Sequence, residues 1–217
     1  MAKDGRRPKS TTQNFYDRIA DVHNLAMKVN GYRASVAKYL RSMDLGIVYD
    51  SAVLDAGSGT GIVTLGFYDS GLKPRTMIDL DLSFKSLRVA REQFEREKDH
   101  GVRRTRFVQG NILQIPFADE TFDLVLTCGV LEYVSLDDGL REMARVLKPG
   151  KNLVLIPVKP SFVGTVLELL YKFKLHPLEE VKGTAAQYFD IVGNYEFPVT
   201  EPIGWSKMLY LLEKKRI

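Results

Sequence analysis

Nine residues, Val-Leu-Asp-Ala-Gly-Ser-Gly-Thr-Gly at 53–61, constrain this chain's fold more than any other stretch. They read as a short apolar strand that ends in an acid, breaks into a glycine-rich turn and opens onto a helix from about Thr60. Gly57, Gly59 and Gly61 permit positive φ and leave the backbone bare toward a ligand. Such a turn at a helix N-terminus presents unpaired N–H groups to a small polar molecule.

From that turn onward strand and helix patterns alternate. Residues 52–56 and 60–70 form the first pair. A strand over 75–80 precedes a helix capped by Ser83 and running to about Lys98. Strands over 105–109 and 122–127 follow, separated by a loop at 112–120. Ser135 with Asp138 opens a helix that stops before Pro149-Gly150, and residues 152–158 are apolar enough for a strand buried on both faces. This alternation predicts the α/β class, a doubly wound Rossmann-like parallel sheet with helices on both faces.

The ends are less regular. Residues 1–11 read as a disordered lead-in and 12–44 as an N-terminal helical flap, with Phe15, Ile19, Val22, Ala26 and Val29 on one stripe and a second helix over about 33–43. Beyond Pro160 the spacing predicts a helix over 162–173, whose stripe of Phe162, Val166, Leu169, Leu170 and Phe173 is expected to face the core. An irregular stretch at 174–185 and strand-like pieces near 188–192 and 207–213 follow. With no linker in the pattern, residues 1–217 are expected to form one domain, and 160–186 a substrate-lid insertion.

Composition narrows the class. The formal net charge of +4 is mild, and the basic residues at the two ends read as solvated tails, with phosphate or anionic-lipid contact as the alternative. One cysteine, Cys128, excludes an internal disulfide and suits a reducing compartment; its apolar flanks suggest a buried filler. No apolar run approaches the ~20 residues of a spanning helix, and the N-terminus lacks a secretory segment. A soluble cytoplasmic protein is expected. Three histidines and one cysteine, scattered, give no ligand cluster, so no metal is expected.

In doubly wound sheets ligands sit beyond the carboxyl ends of the strands, at the switch point. The loops there carry Asp55 with Gly57, Ser58, Gly59 and Gly61; Asp81, which can accept from both hydroxyls of a ribose; Asn111 and Ile112, suited to an adenine edge; and Cys128 with Gly129. Asp79 reads as structural. The glycine spacing is G-x-G-x-G, whereas a dinucleotide fingerprint is G-x-G-x-x-G, and no Lys-Ser/Thr pair follows for a P-loop. Asp55 opposes a pyrophosphate and suits an ammonium group. A cofactor cationic at one end and adenosine at the other, S-adenosylmethionine, fits these residues.

With those motifs the chain resembles the class I S-adenosylmethionine-dependent methyltransferases of the methyltransferase type 11 domain, in the small-molecule branch of the ubiquinone/menaquinone C-methyltransferases. The resemblance covers roughly residues 14–158. It rests on 53–61, Asp-Leu-Ser at 81–83, Gly-Asn-Ile-Leu-Gln-Ile-Pro-Phe at 110–117, Phe-Asp-Leu-Val at 122–125, Val-Leu-Glu-Tyr-Val at 130–134 and Leu-Lys-Pro-Gly at 147–150. It implies a seven-stranded sheet with its last strand antiparallel. It also implies that Gly57 and Gly59 approach the methionine part, Asp81 takes the ribose, Leu82 packs on the adenine and Asn111 with Ile112 reads its edge. Tyr16 would close over the cofactor carboxylate. The chain departs from the pattern at Asn111, where Asp is usual, at Tyr133, where His is frequent, and at His23, where many relatives carry Tyr.

Methyl transfer is an in-line displacement governed by alignment and exclusion of water, with a base where the nucleophile carries a proton. His23 and Tyr133 are the candidate catalytic groups, with Tyr16, His176 and Tyr188 behind them. The expected partner is a small-molecule acceptor, quinone-like or lipid-like if the 162–173 stripe is exposed, with peripheral membrane contact in that case. A nucleic-acid acceptor is disfavoured, because Thr-Cys-Gly-Val follows the fourth strand where an Asn/Asp-Pro-Pro-Tyr/Phe element would stand. A non-catalytic S-adenosylmethionine-binding protein and a nucleotide-cofactor oxidoreductase are the alternatives. The sequence is silent on oligomeric state.

Overall fold

The structure is a computed structural model that describes residues 31–216. The expected lead-in, the first helical stripe, Tyr16 and His23 lie outside the described residues. Helix α1 (Tyr32–Ser42) precedes β1 (Ala52–Ala56), α2 (Ile62–Asp69), β2 (Thr76–Asp81), α3 (Phe84–Phe94), the short α4 (His100–Arg103) and β3 (Arg106–Gln109). Then come β4 (Phe122–Cys128), α5 (Leu136–Val146), β5 (Leu147–Ile156), α6 (Phe162–Tyr171), α7 (Leu178–Ala185), β6 (Phe189–Glu196) and β7 (Met208–Lys214).

The strands form one seven-stranded sheet in the order β3-β2-β1-β4-β5-β7-β6. β1 to β5 run parallel, and β7 enters antiparallel between β5 and β6, with Leu155 opposite Tyr210. The order reverses at β1/β4, so the crevice of a doubly wound sheet opens above the turn that follows Ala56. Alternate strand residues feed two cores. Val53, Met77, Leu124, Leu126, Val154 and Leu209 pack against α1, α2 and α3. Leu54, Ile78, Val125, Leu153, Leu155 and Tyr210 pack against α5 and α7.

Several expectations are corrected here. The described part of the expected 12–44 flap is body rather than flap: Tyr32, Val36 and Leu40 are buried in the core with Phe67 and Val63 of α2. The stretch expected to be irregular holds α7, because Pro177 stands at its N-cap, Glu179 and Glu180 occupy its first turn, and Val181 and Ala185 bury one face. Within 160–186, α7 packs into the core through Val181 and Ala185, and α6 is exposed. The stripe on α6 does not face the core. Phe162 is 86% exposed and Leu169 80%, while Gly164 is the one buried residue of the helix. Two boundaries also shift. α3 stops at Phe94, before the separate α4, and β5 begins at Leu147, its early register against β4 broken by an irregularity that Gly150, at φ 69°, accommodates.

Candidate functional site

The carboxyl ends of β1, β2 and β4 meet around the glycine turn. Gly57 N–H and Ser58 N–H both donate to the Leu80 carbonyl at 2.8 and 3.0 Å, tying the turn to β2. Gly57 has φ 78°, and a Cβ there would lie 2.6 Å from the Val130 side chain, so the turn lies directly on the residue two beyond Cys128. Gly61, at φ 80°, caps α2, and a Cβ there would meet the Phe94 ring at 2.6 Å. Only glycine satisfies both conformation and space at these two positions.

Asp81 closes β2. Its carboxylate accepts from Gly59 N–H and from Ser83 N–H, each at 2.8 Å. A carboxylate can accept about four hydrogen bonds, so this fixed geometry is compatible with ribose hydroxyls. Ser83 in turn caps α3 by accepting from Ser86 N–H. Leu82 is part-exposed beside Asp81. Beside Asp81, after β3, Asn111 Oδ1 accepts from Leu113 N–H at 3.0 Å, which sets its loop, and Ile112 is buried. Ser58 Oγ and one oxygen of Asp55 are buried with no hydrogen-bond partner among the described residues. These orphaned polar atoms fit a polar ligand at the turn, since burial without a partner is costly.

Behind the turn Asp55 and Asp79 face each other across one hydroxyl. Thr64 Oγ1 lies 2.9 Å from Asp55 Oδ2 and 2.7 Å from Asp79 Oδ1. One hydroxyl carries one proton, so it can donate to only one carboxylate; the other contact requires a protonated carboxyl donating to it. Burial pushes the Asp55 carboxyl up to about 7, with Thr64 opposing and Asp81 adding. Burial and then the Asp55 charge hold Asp79 well above the usual carboxylate range. The pair keeps a proton that an isolated exposed pair would lose.

On the β4 side Cys128 is half-buried, and its sulphur lies 2.8 Å from the Tyr32 hydroxyl. It is therefore a partnered wall residue rather than the inert filler its flanks suggested. Burial raises the thiol, while Lys207 and the Tyr32 contact oppose; burial, followed by the Cys128 charge, raises Tyr32 strongly. Glu132 is buried, with Oε1 accepting from Val158 N–H at 2.6 Å and Oε2 unpartnered among the described residues. Lys207 is also buried. Tyr133 stands in the turn of 3-10 helix at Leu131–Tyr133, its ring edge-on to Phe173 with centroids 5.5 Å apart. His176 is buried with Nδ1 3.2 Å from Glu180, and Tyr188 donates to Asp137 at 2.8 Å.

The structure thus gathers Asp55, Gly57, Ser58, Gly59, Gly61 and Asp81 at one turn, with Val130 joining it to the Cys128 wall. Sequence reading missed Tyr32, Thr64, Glu132 and Lys207. Thr64 had a signal, a polar residue inside the apolar Ile-Val-Thr-Leu run; Glu132 had one too, an acid in Val-Leu-Glu-Tyr-Val. Tyr32 and Lys207 had none.

The methyltransferase domain family matches residues 54–155, the segment from β1 to β5 that carries this site. The chain is 29% identical over 197 residues to the ubiquinone/menaquinone biosynthesis C-methyltransferase of Azotobacter vinelandii, covering 81% of this chain and 76% of that one. It is 33% identical over 155 residues to the demethylmenaquinone methyltransferase of Thermobifida fusca, covering 67% and 62%. These matches, together with the fold, support a class I S-adenosylmethionine-dependent methyltransferase. As a methyltransferase it uses S-adenosylmethionine, the cofactor whose chemistry the glycine spacing selected. Its fold is shared with the putative methyltransferase of Haloferax volcanii solved in complex with the Trm112 methyltransferase activator, at TM-score 0.74, 16% identity and coverage of 95% and 99%. Among the described residues of this methyltransferase no helix is long and apolar enough to cross a membrane.

Proposed function

We propose that this methyltransferase modifies a small acceptor with an apolar body, quinone-like or lipid-like, which it takes up from the face carrying α6. The observation that carries this reading is the exposure of Phe162, Leu169 and Leu170 on the helix that follows β5 and packs on the turn at Pro202–Trp205. Exposed large side chains in one stripe mark an interaction surface, and a helix of this kind suits apolar ligands or a bilayer interface. The relatives named for ubiquinone, menaquinone and demethylmenaquinone support the same acceptor class. Peripheral contact with a membrane from the cytoplasmic side accords with it.

In this reading the chain binds and aligns. S-adenosylmethionine supplies, when bound, a methyl group on a cationic sulphur. Gly57, Ser58 and Gly59 take its methionine part, the Asp55–Asp79 pair, keeping one proton between its two carboxyls, leaves negative charge behind the turn for the ammonium group, and Gly61 keeps the start of α2 open. Asp81 takes the ribose hydroxyls; Leu82, Asn111 and Ile112 hold the adenine. Cys128 and Tyr32 wall the side from which the acceptor arrives and exclude water there. Tyr133 is kept as the described candidate for acceptor contact.

Calorimetry with S-adenosylmethionine is the first test. Asp81→Ala should weaken binding by roughly tenfold to a hundredfold, the order expected for hydrogen bonds to a charged group. Unchanged affinity in that variant removes the ribose assignment. Incubation with methyl-labelled cofactor and a whole-cell extract, followed by mass identification of the product, should place label in an apolar ring compound or lipid. Label confined to protein or RNA overturns the acceptor class, and absence of any label favours a binding protein without catalysis.

A further inference from the structure

The site has a lysine, largely buried along its stem, that nothing described so far uses. Lys207 stands just before β7, where the antiparallel strand starts level with the carboxyl ends of β4 and β5. Its backbone pairs with Val158, the residue whose N–H donates to Glu132. From there its side chain reaches back across β5: a Cβ on Gly129 would lie 2.6 Å from Lys207 Nζ. Gly129 sits between Cys128 and Val130, and Val130 is the residue that packs on Gly57 of the glycine turn. The ammonium therefore lies over the link joining the turn to the Cys128–Tyr32 wall.

Lys207 is only 8% exposed, and its ammonium makes no side-chain hydrogen bond or ion pair among the described residues. Glu132 is the acid nearest along the chain path, but its Oε1 is taken by Val158 N–H, and it forms no ion pair with Lys207. Its Oε2 is itself buried and unpartnered. Lysines are almost never this little exposed unless paired, and here the stem is covered while the ammonium stays open to a partner arriving in the crevice. The missing side chain at Gly129 is what lets the ammonium sit there, and an anion arriving in the crevice would pair with it. One ammonium suits a single negative charge rather than a phosphate with two.

We propose that Lys207 is the acceptor-binding residue of this methyltransferase and holds one anionic oxygen, a carboxylate or ionised hydroxyl, carried on the acceptor's apolar body. The assignment rests on the small-acceptor reading above and sharpens it from apolar to apolar with one acidic oxygen. Lys207 selects and orients; the oxygen it holds fixes which edge of the acceptor faces the glycine turn.

The test uses the full chain saturated with S-adenosylhomocysteine, with 1-naphthoate as the anionic probe and 1-naphthamide as its neutral counterpart. Calorimetry should give naphthoate binding that falls at least about tenfold in Lys207→Met, the scale of a lost charge-assisted hydrogen bond. Naphthamide binding should change by less than about twofold, since an uncharged probe makes no charge-assisted bond to lose. In the unsubstituted protein carrying ¹³C-methylated lysines, naphthoate should shift the Lys207 resonance and naphthamide should not, a readout that does not depend on the variant folding. Naphthoate that fails to bind, binds equally to both proteins, or leaves the Lys207 signal unmoved overturns the proposal. S-adenosylhomocysteine binding, measured first, separates the two readings. Its absence in the unsubstituted protein sinks the functional assignment itself, whereas intact cofactor binding with an indifferent Lys207 sinks this inference alone.

Discussion

The two sides of the crevice are built differently. The side of β1, β2 and α2 is made of near neighbours: Gly59 N–H meets Asp81 22 residues away, and Thr64 meets Asp55 nine residues away. The side of β4, β5 and β7 is made of strangers: Tyr32 and Cys128 are 96 residues apart, and Ser161 and the Trp205 carbonyl 44. A cofactor site assembled from short loops after consecutive strands is dictated by local spacing. An acceptor site assembled from a strand end, a returning strand and a distant helix exists only once the sheet has closed.

Substitutions should separate the two sides. The largest effect belongs to Gly61→Val, which adds a side chain 2.6 Å from the Phe94 ring at φ 80°. Overpacking and a forbidden backbone region together should cost about 3 kcal/mol or more in urea denaturation and abolish cofactor binding. A variant that binds S-adenosylhomocysteine normally would mean the turn tolerates far more than its geometry allows.

Next comes pH. Asp55 and Asp79 hold their protons more tightly in the folded chain than in the unfolded one. Stability from the pair is therefore complete below the ordinary carboxylate range and is lost as pH rises toward about 7, the level to which Asp55 is pushed. The unfolding free energy from urea denaturation should fall between pH 5 and pH 8 by an amount on the order of 2–4 kcal/mol. Asp55→Asn should flatten that slope, and an unchanged slope would place the retained proton elsewhere.

Smaller effects lie on the acceptor side. Tyr32→Phe removes one buried hydroxyl contact and should cost about 1 kcal/mol of stability while leaving cofactor affinity unchanged. A drop in cofactor affinity would move Tyr32 across the divide. Smallest in stability is Leu169→Glu on exposed α6, which should stay within roughly 0.5 kcal/mol of the parent. It should nevertheless reduce flotation of the protein with anionic lipid vesicles, and undiminished flotation would detach α6 from acceptor delivery.

Much of the cofactor side could be read directly. Glycines at 57, 59 and 61 after an apolar strand, with Asp81 ending the next one, declare a turn and an acid in register because parallel strands bring their ends level. Even there, the partnership of Asp55 with Asp79 through Thr64 was hidden, since a helix facing β1 and β2 supplies the hydroxyl. On the acceptor side almost nothing was legible. Glu132 stood out only as an acid in an apolar run, with nothing to say what it met, and Lys207 looked like the start of a strand. α6 looked like core because an amphipathic stripe carries no label saying which body covers it.

Period and spacing by themselves determined the alternating elements, the parallel order and the glycine turn, because each depends on residues within a few positions of one another. Tertiary structure alone decided that α1 belongs to the core, that α7 forms where Pro177 had suggested a loop, and that α6 is left uncovered. It alone brought Lys207 over Gly129. Those outcomes depend on which surfaces remain after the sheet has chosen its neighbours, and no local pattern records that choice.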